Sequence, residues 1–319
     1  MDSPKLQKTS IASKLESTEH KVSYDAACKR LLSEKVVLAH VMKSYLTEFQ
    51  DCSVNEIANR YIEGTPLVDA IPITTDKTNP AILGMDSSDK TTSKGEATYD
   101  ILFRALVPNT QEEIGVIINV EAQKDSYPGY PIVTRGIYYC ARLLSSQYNR
   151  EFTNSHYEKL TKVYSIWICL NPPVKDRNSV TSFDFQPHTL VGNSVAPVSS
   201  YDLMSVITVY LGGPGTKNYS GTLRMLDILL SDVKSAAEKA KTLQNDYGIQ
   251  MTQTMEKEAT NMCNLSEAIE QRTTEKNYLS SIQSILKKTQ LSVDQAMDLI
   301  DIPENDRPKH LELLKQQQQ

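Results

Sequence analysis

Tyr99-Asp100-Ile101-Leu102-Phe103-Arg104-Ala105-Leu106 and Ile114-Gly115-Val116-Ile117-Ile118-Asn119-Val120-Glu121-Ala122-Gln123 are two apolar runs, each carrying a carboxylate where a buried strand has little use for one. Between them, Val107-Pro108-Asn109-Thr110-Gln111-Glu112-Glu113 supplies turn-forming Pro and Asn. Folded about the midpoint of that loop, the two runs make an antiparallel hairpin with Leu106 opposite Gly115 and Asp100 opposite Glu121. Residues directly opposite share a face, and Gln123 joins it by the period-two alternation of a strand. Asn119, Glu121 and Gln123 then face one way, and Ile118, Val120 and Ala122 the other. Two carboxylates so close repel unless a cation lies between them. A divalent metal held by oxygen ligands is the natural candidate.

The rest of the chain extends this hairpin into an alternating α and β series. Residues 24–49 carry an apolar stripe (Leu31, Leu32, Val36, Leu38, Ala39, Met42, Leu46) that predicts one long helix. Ser53 is placed to cap a shorter helix ending at Gly64, and Val68 to Ile73 alternates enough for a first strand. Residues 74–97, rich in Thr, Ser, Asp and Lys, read as an exposed mobile insert. After the hairpin, Pro128, Gly129 and Pro131 precede a predicted helix over 132–150. Lys162 to Leu170 is a continuous β-branched and aromatic run suited to a strand buried on both faces, stopped by Pro172-Pro173. Strand signals at Val180–Phe185 are weak, and residues 201–211 read as a strand or a helix edge. From residue 220 helical patterns dominate: 223–231, 235–247, 252–264, 265–288 and 292–300, the last capped by Ser292.

The ordered series is similar to the PD-(D/E)XK nuclease superfamily, and within it to the branch of nuclease-family transposases related to the recombination-promoting nuclease/putative transposase group. The resemblance is carried by Tyr24-Asp25-Ala26-Ala27-Cys28-Lys29-Arg30 through Tyr45; by Asp100 and Glu121-Ala122-Gln123; by Asp125-Ser126-Tyr127-Pro128-Gly129-Tyr130-Pro131 with Arg135-Gly136-Ile137-Tyr138-Tyr139; and by Val163-Tyr164-Ser165-Ile166-Trp167-Ile168-Cys169. It spans roughly residues 24–315. It implies an α/β fold with a mixed sheet, a restriction-endonuclease-like αβββαβ core and a helical C-terminal region. The implied organisation is a disordered leader over 1–22, a nuclease-like domain over 23–219, a helical accessory region over 220–315 and a disordered Gln tail over 316–319.

The implied chemistry is metal-dependent hydrolysis of DNA phosphodiesters, with Asp100 and Glu121 holding Mg²⁺ or Mn²⁺ and Gln123 completing the site. Other superfamily members have Lys where Gln123 stands. A neutral amide can only hydrogen-bond, so a cation has to come from elsewhere. Lys124 is adjacent, but alternation sends it to the opposite face unless a bulge intervenes. Arg135 on the following helix is a second candidate cation, and Glu34 on the first helix a candidate third carboxylate. Asp25 and Lys29, one helical turn apart, read as a surface ion pair. The competing reading is a degenerate nuclease fold that binds DNA or another protein without catalysis.

Composition narrows the field. With 34 Lys and Arg against 39 Asp and Glu the net charge is −5, so a DNA contact requires a local basic patch. Arg135, Arg142 and Arg150 interleaved with Tyr127, Tyr130, Tyr138, Tyr139 and Tyr148 suit such a contact, although core packing of the rings explains most of the tyrosines. No apolar run approaches the roughly 20 residues of a membrane-spanning helix, and no secretory leader is evident. Five scattered cysteines without CxxC spacing favour a reducing, cytoplasmic setting. The five histidines show no zinc spacing. Gly212-Gly213-Pro214-Gly215-Thr216-Lys217 lacks the Gly-Lys-Ser/Thr end of a phosphate loop. The helical C-terminal region is the expected place for self-association.

Overall fold

The computed structural model describes residues 23–72, 98–108, 115–212, 219–231 and 233–317. The expected insert at 74–97, the tip of the hairpin loop and the leader lie outside the described residues. In chain order the elements are α1 (23–32), α2 (Lys35–Tyr45), α3 (Val54–Glu56, continued by a π turn over Ile57–Tyr61), β1 (Leu67–Pro72), β2 (Thr98–Leu106), β3 (Gly115–Asp125), α4 (Ile132–Ser145), β4 (Lys162–Asn171), β5 (Ser179–Asp184), β6 (Met204–Tyr210), α5 (Gly221–Leu229), α6 (Ala236–Tyr247), α7 (Gln253–Lys288), α8 (Val293–Leu299) and α9 (Arg307–Gln317).

The six strands form one mixed α/β sheet in the order β1-β2-β3-β4-β6-β5. β1, β2 and β3 pair antiparallel, β3 with β4 and β4 with β6 pair parallel, and β5 returns antiparallel along β6. The β2–β3 register runs from Leu106↔Gly115 to Ile101↔Val120, the register expected of the hairpin. β4 is central and reads as it should: Val163 through Cys169 are buried, with Trp167 fully enclosed. β6, ambiguous between strand and helix edge in sequence, is a buried strand.

The two faces of the sheet are covered by different helices. On one face, Ala27, Cys28, Leu31 and Leu32 of α1 and Val37, Leu38, Val41 and Met42 of α2 share a core with Ile101, Ile118, Val120 and Ile166. Leu226, Leu229 and Leu243 of α5 and α6, with Met255 and Met262 of α7, belong to that same core. This compact unit therefore reaches from Tyr24 to Met262, past the residue 219 at which a nuclease-like domain was expected to close. On the other face, Ile132, Tyr139, Cys140 and Leu143 of α4 pack with Leu102, Ile117, Trp167, Cys169 and Val206.

α4 approaches the sheet closely because Gly136 carries no side chain. A Cβ there would lie 2.6 Å from Val206 Cγ1 and 2.9 Å from Trp167 Nε1. Gly136→Ala is therefore expected to destabilise the fold by about 1–3 kcal/mol through overpacking. Urea unfolding measures this, and an unchanged midpoint contradicts it.

Three helix expectations are corrected. The single helix over 24–49 is broken at Ser33–Glu34. Ser33 Oγ donates back to Arg30 O at 2.8 Å, a side-chain bond that competes with helix continuation, and Glu34 adopts extended backbone as the N-cap of α2. The helix expected over 132–150 ends at Ser145, where the chain turns through Asn149 in left-handed conformation. Conversely, the separate helices over 252–264 and 265–288 are one, α7, because no Gly or Pro interrupts them.

Residues from Cys263 form a second compact unit. Its small core joins Leu279 and Ile282 to Ala296, Met297, Ile302 and Leu314. Ser292 caps α8 in a reciprocal capping box with Gln295, as its sequence indicated. α9 was not foreseen, and it carries Gln316 and Gln317 of the expected disordered tail as helix. No helix among the described residues is long and apolar enough to cross a membrane. None of the five cysteines, all within the described residues, is joined in a disulfide.

Candidate metal centre

The β2–β3 ladder stops at Ile101↔Val120, and side chains take over from the backbone at the next position. The Asp100 N–H donates to Glu121 Oε1 at 3.1 Å, and the Ala122 N–H donates to Asp100 Oδ2 at 3.2 Å. Backbone N–H groups of a strand lie in the plane of the sheet. Both carboxylates therefore curl into that plane, where the next pair of ladder bonds would have formed. This also corrects the expected alternation. Tyr99 and Leu102 belong to the α4-side core while Ile101 belongs to the opposite one, so the period of two breaks at the start of β2. Asp100 and Glu121 converge at the ladder end rather than by simply sharing one face.

Burial makes the pair costly as charges. Glu121 is only 4% exposed. Loss of hydration, then the charge of Asp100, pushes its carboxyl well above the ordinary range, and Arg135 opposes this only in part. Asp100 is also pushed up by burial, against the pull of Lys29.

Lys29 is the residue that sequence reading missed. Its Nζ lies 2.9 Å from Asp100 Oδ1 and 2.6 Å from Asp25 Oδ2. The expected Asp25–Lys29 surface pair exists, but Lys29 is a bridge, with side-chain exposure of 16% for both Lys29 and Asp100. Burial works against its charge, and Asp100 and Asp25 outweigh that, leaving the ammonium more firmly protonated than a free lysine. The i, i+4 spacing was legible; the approach of α1 to the end of β2 was not, because it follows from how Cys28, Leu31 and Leu32 seat the helix on the sheet.

Arg135 lies on the Glu121 side. Its guanidinium carbon is 5.1 Å from the Tyr130 ring centroid, 4.9 Å from that of Tyr139 and 5.4 Å from that of Trp167. Its Nε donates to Tyr139 Oη at 2.9 Å, and it also bonds the Tyr130 hydroxyl. Tyr139 is itself buried between Tyr99 and Trp167. This cage fixes a planar cation near Glu121. Tyr127, Tyr138 and Tyr148 are exposed.

Gln123 is half-buried in β3, paired in register with Cys169. Lys124 belongs to β3, and its side chain lies outside the described residues. Glu34 sits half-buried at the N-cap of α2, and no group of three His, Cys, Asp or Glu side chains able to hold a metal occurs among the described residues.

The donor chemistry nonetheless suits a hard divalent cation. Mg²⁺ is commonly held by one or two carboxylates with water completing its shell, so the absence of a third carboxylate is no obstacle. A carboxyl held above its ordinary range by loss of hydration and then by a neighbouring carboxylate is also a group that a cation would return to the charged form. No family model, curated protein or solved structure matches this chain.

Proposed function

We propose that this chain is a metal-dependent endonuclease of PD-(D/E)XK type that hydrolyses DNA phosphodiesters, with an association to mobile DNA or recombination carried by the family resemblance. The observation that carries the reading is the convergence of Asp100 and Glu121 at the end of the β2–β3 ladder, flanked by Lys29 and Arg135. The series of helices α1 to α3, strands β1 to β3, helix α4 and strand β4 is compatible with the αβββαβ core of that superfamily.

In this reading Asp100 and Glu121 hold Mg²⁺ or Mn²⁺. A cation there would place positive charge on the scissile phosphate and lower the pKa of a bound water. The protein supplies the rest. Lys29 opposes the upward push of burial on the Asp100 carboxyl and brings to the site the positive charge that Gln123 cannot. Arg135, held flat by its aromatic cage, offers a fork of donors to a phosphate. Gln123 orients by hydrogen bonding alone.

One observation favours a second reading. Lys29 already neutralises Asp100, so the ion pair can serve as a closed structural plug in a nuclease-fold protein that binds DNA or a protein partner without cutting. Metal titration separates the two. Under the nuclease reading Mn²⁺ stabilises the protein, by about 2.7 kcal/mol at a hundredfold excess over its Kd, a rise of several degrees in Tm. Asp100→Ala is expected to lose that response. Equal Tm values with and without Mn²⁺ would support the plug.

A further inference from the structure

The far edge of the sheet is built unlike the rest of the surface. β5 is the last strand, hydrogen-bonded to β6 on one side only among the described residues. Its neighbour β6 is buried from Ser205 to Val209, whereas β5 is half-buried at Ser179 and Val180, where Val180 packs on the core, and exposed from Thr181 to Asp184. All twenty residues from 181 to 200 are exposed. They include Phe183, Phe185, Leu190, Val191, Val195 and Val198, with Leu190 at 93% and Val191 at 94% exposure.

Charge is nearly missing from this stretch. Asp184 is the one Asp, Glu, Lys or Arg in those twenty residues, whereas such residues make up 23% of the chain. That carboxylate is tied back to the sheet by Ser182 Oγ at 2.7 Å and by Ser205 Oγ. Natural edge strands are normally blunted by Lys, Pro, a bulge or a covering element. Ser179–Asp184 has none of these. Apolar, charge-depleted and open at the backbone, the surface has the composition of an interface core rather than of a solvated loop.

We propose that residues 179–200 form a self-association surface through which two copies of this chain dimerise. Three considerations select a second copy as the occupant. An unpaired strand edge is complementary to itself in antiparallel orientation, so a two-fold axis satisfies both copies at once. The near-absence of charge offers nothing to a nucleic acid or to a charged partner. The number of exposed residues also matches the roughly 20–30 a side that a standard interface of about 800 Å² per partner engages. This surface lies in the unit from Tyr24 to Met262, in a different stretch of the chain from the helical region, 220–315, that sequence alone offered for self-association.

The test is sedimentation equilibrium on the full chain, beside the double variant Leu190→Glu/Val191→Glu and the control Val233→Glu. Leu190 and Val191 are almost wholly exposed, so the double variant leaves the fold of the single chain intact; Val233 is an exposed apolar residue outside the surface. The wild type is expected to reach about twice its 35.8 kDa mass with a micromolar or tighter Kd. The double variant is expected to raise that Kd by more than about tenfold, since it buries four like charges across the axis, while Val233→Glu changes nothing. A wild-type chain that stays monomeric overturns the proposal. So does a dimer that the double variant leaves untouched, or a monomer whose DNA affinity falls in the double variant.

Discussion

Glu121→Gln is expected to raise the Tm of the metal-free protein while reducing metal-dependent DNA cleavage by at least about 10²–10³-fold, the scale of losing an electrostatic element of a phosphoryl-transfer site. The two effects have one cause. Glu121 is buried beside Asp100, and its carboxyl is pushed well above the ordinary range by loss of hydration and then by that neighbour. The folded state therefore keeps a proton that the unfolded chain releases above about pH 4.3. Its stability contribution is intact below the unfolded pKa and is lost as pH rises through the folded one. The wild type is accordingly expected to lose stability with rising pH across that window, and Glu121→Gln to flatten the loss. Asp100→Asn should abolish cutting equally but without the gain in Tm, because it leaves Lys29 with Asp25 as its single ion-pair partner. Thermal unfolding as a function of pH, in chelator, reads both.

Lys29→Met is the second large effect. It removes the cation from between Asp25 and Asp100 and leaves Asp100 beside Glu121 with no lysine opposite it, while Arg135 acts on Glu121. Breaking a largely buried pair by deleting one partner costs about 3–5 kcal/mol, and the 16% exposure of both side chains places this case near the lower end. Mn²⁺ should restore more stability to Lys29→Met than it adds to the wild type, since the metal replaces the missing charge. Cleavage should nevertheless stay depressed by about 10²-fold or more if Lys29 stands in for the motif lysine. Lys29→Arg should recover stability. A Lys29→Met protein with wild-type stability and cutting would remove Lys29 from the site.

What the chain's sequence makes legible divides along the range of the interactions involved. The hairpin register was legible because its strands are joined by a short loop and carry matched apolar faces, so a slip would have turned Ile118 and Val120 away from the core. β4 was legible because Val163–Cys169 is an almost unbroken run of β-branched, aromatic and apolar residues. The cap at Ser53 was legible as local chemistry: its hydroxyl and the Glu56 carboxylate satisfy each other's backbone.

The break at Ser33 was hidden because the apolar stripe continues on both sides of it, and the interruption comes from a single hydroxyl bonding back to Arg30. Lys29 was hidden for a different reason. Its spacing from Asp25 already explained it, and the approach to Asp100 exists only once α1 is seated on the sheet. Arg135 was suspected as a cation, but its cage combines Tyr130 and Tyr139 with Trp167 from β4, and no spacing along the chain announces that third ring. The loss of alternation at Tyr99 was equally unreadable, since it depends on carboxylates replacing the last ladder bonds.

Incubation of the purified chain with supercoiled plasmid in Mg²⁺ or Mn²⁺, beside Glu121→Gln and a chelator control, tests most directly whether the Asp100–Glu121 pair does chemistry. Nicked and linear DNA from the wild type, with none from Glu121→Gln or in chelator, is the predicted result. Intact plasmid from a folded wild-type protein in both metals, or equal cutting by Glu121→Gln, would contradict it.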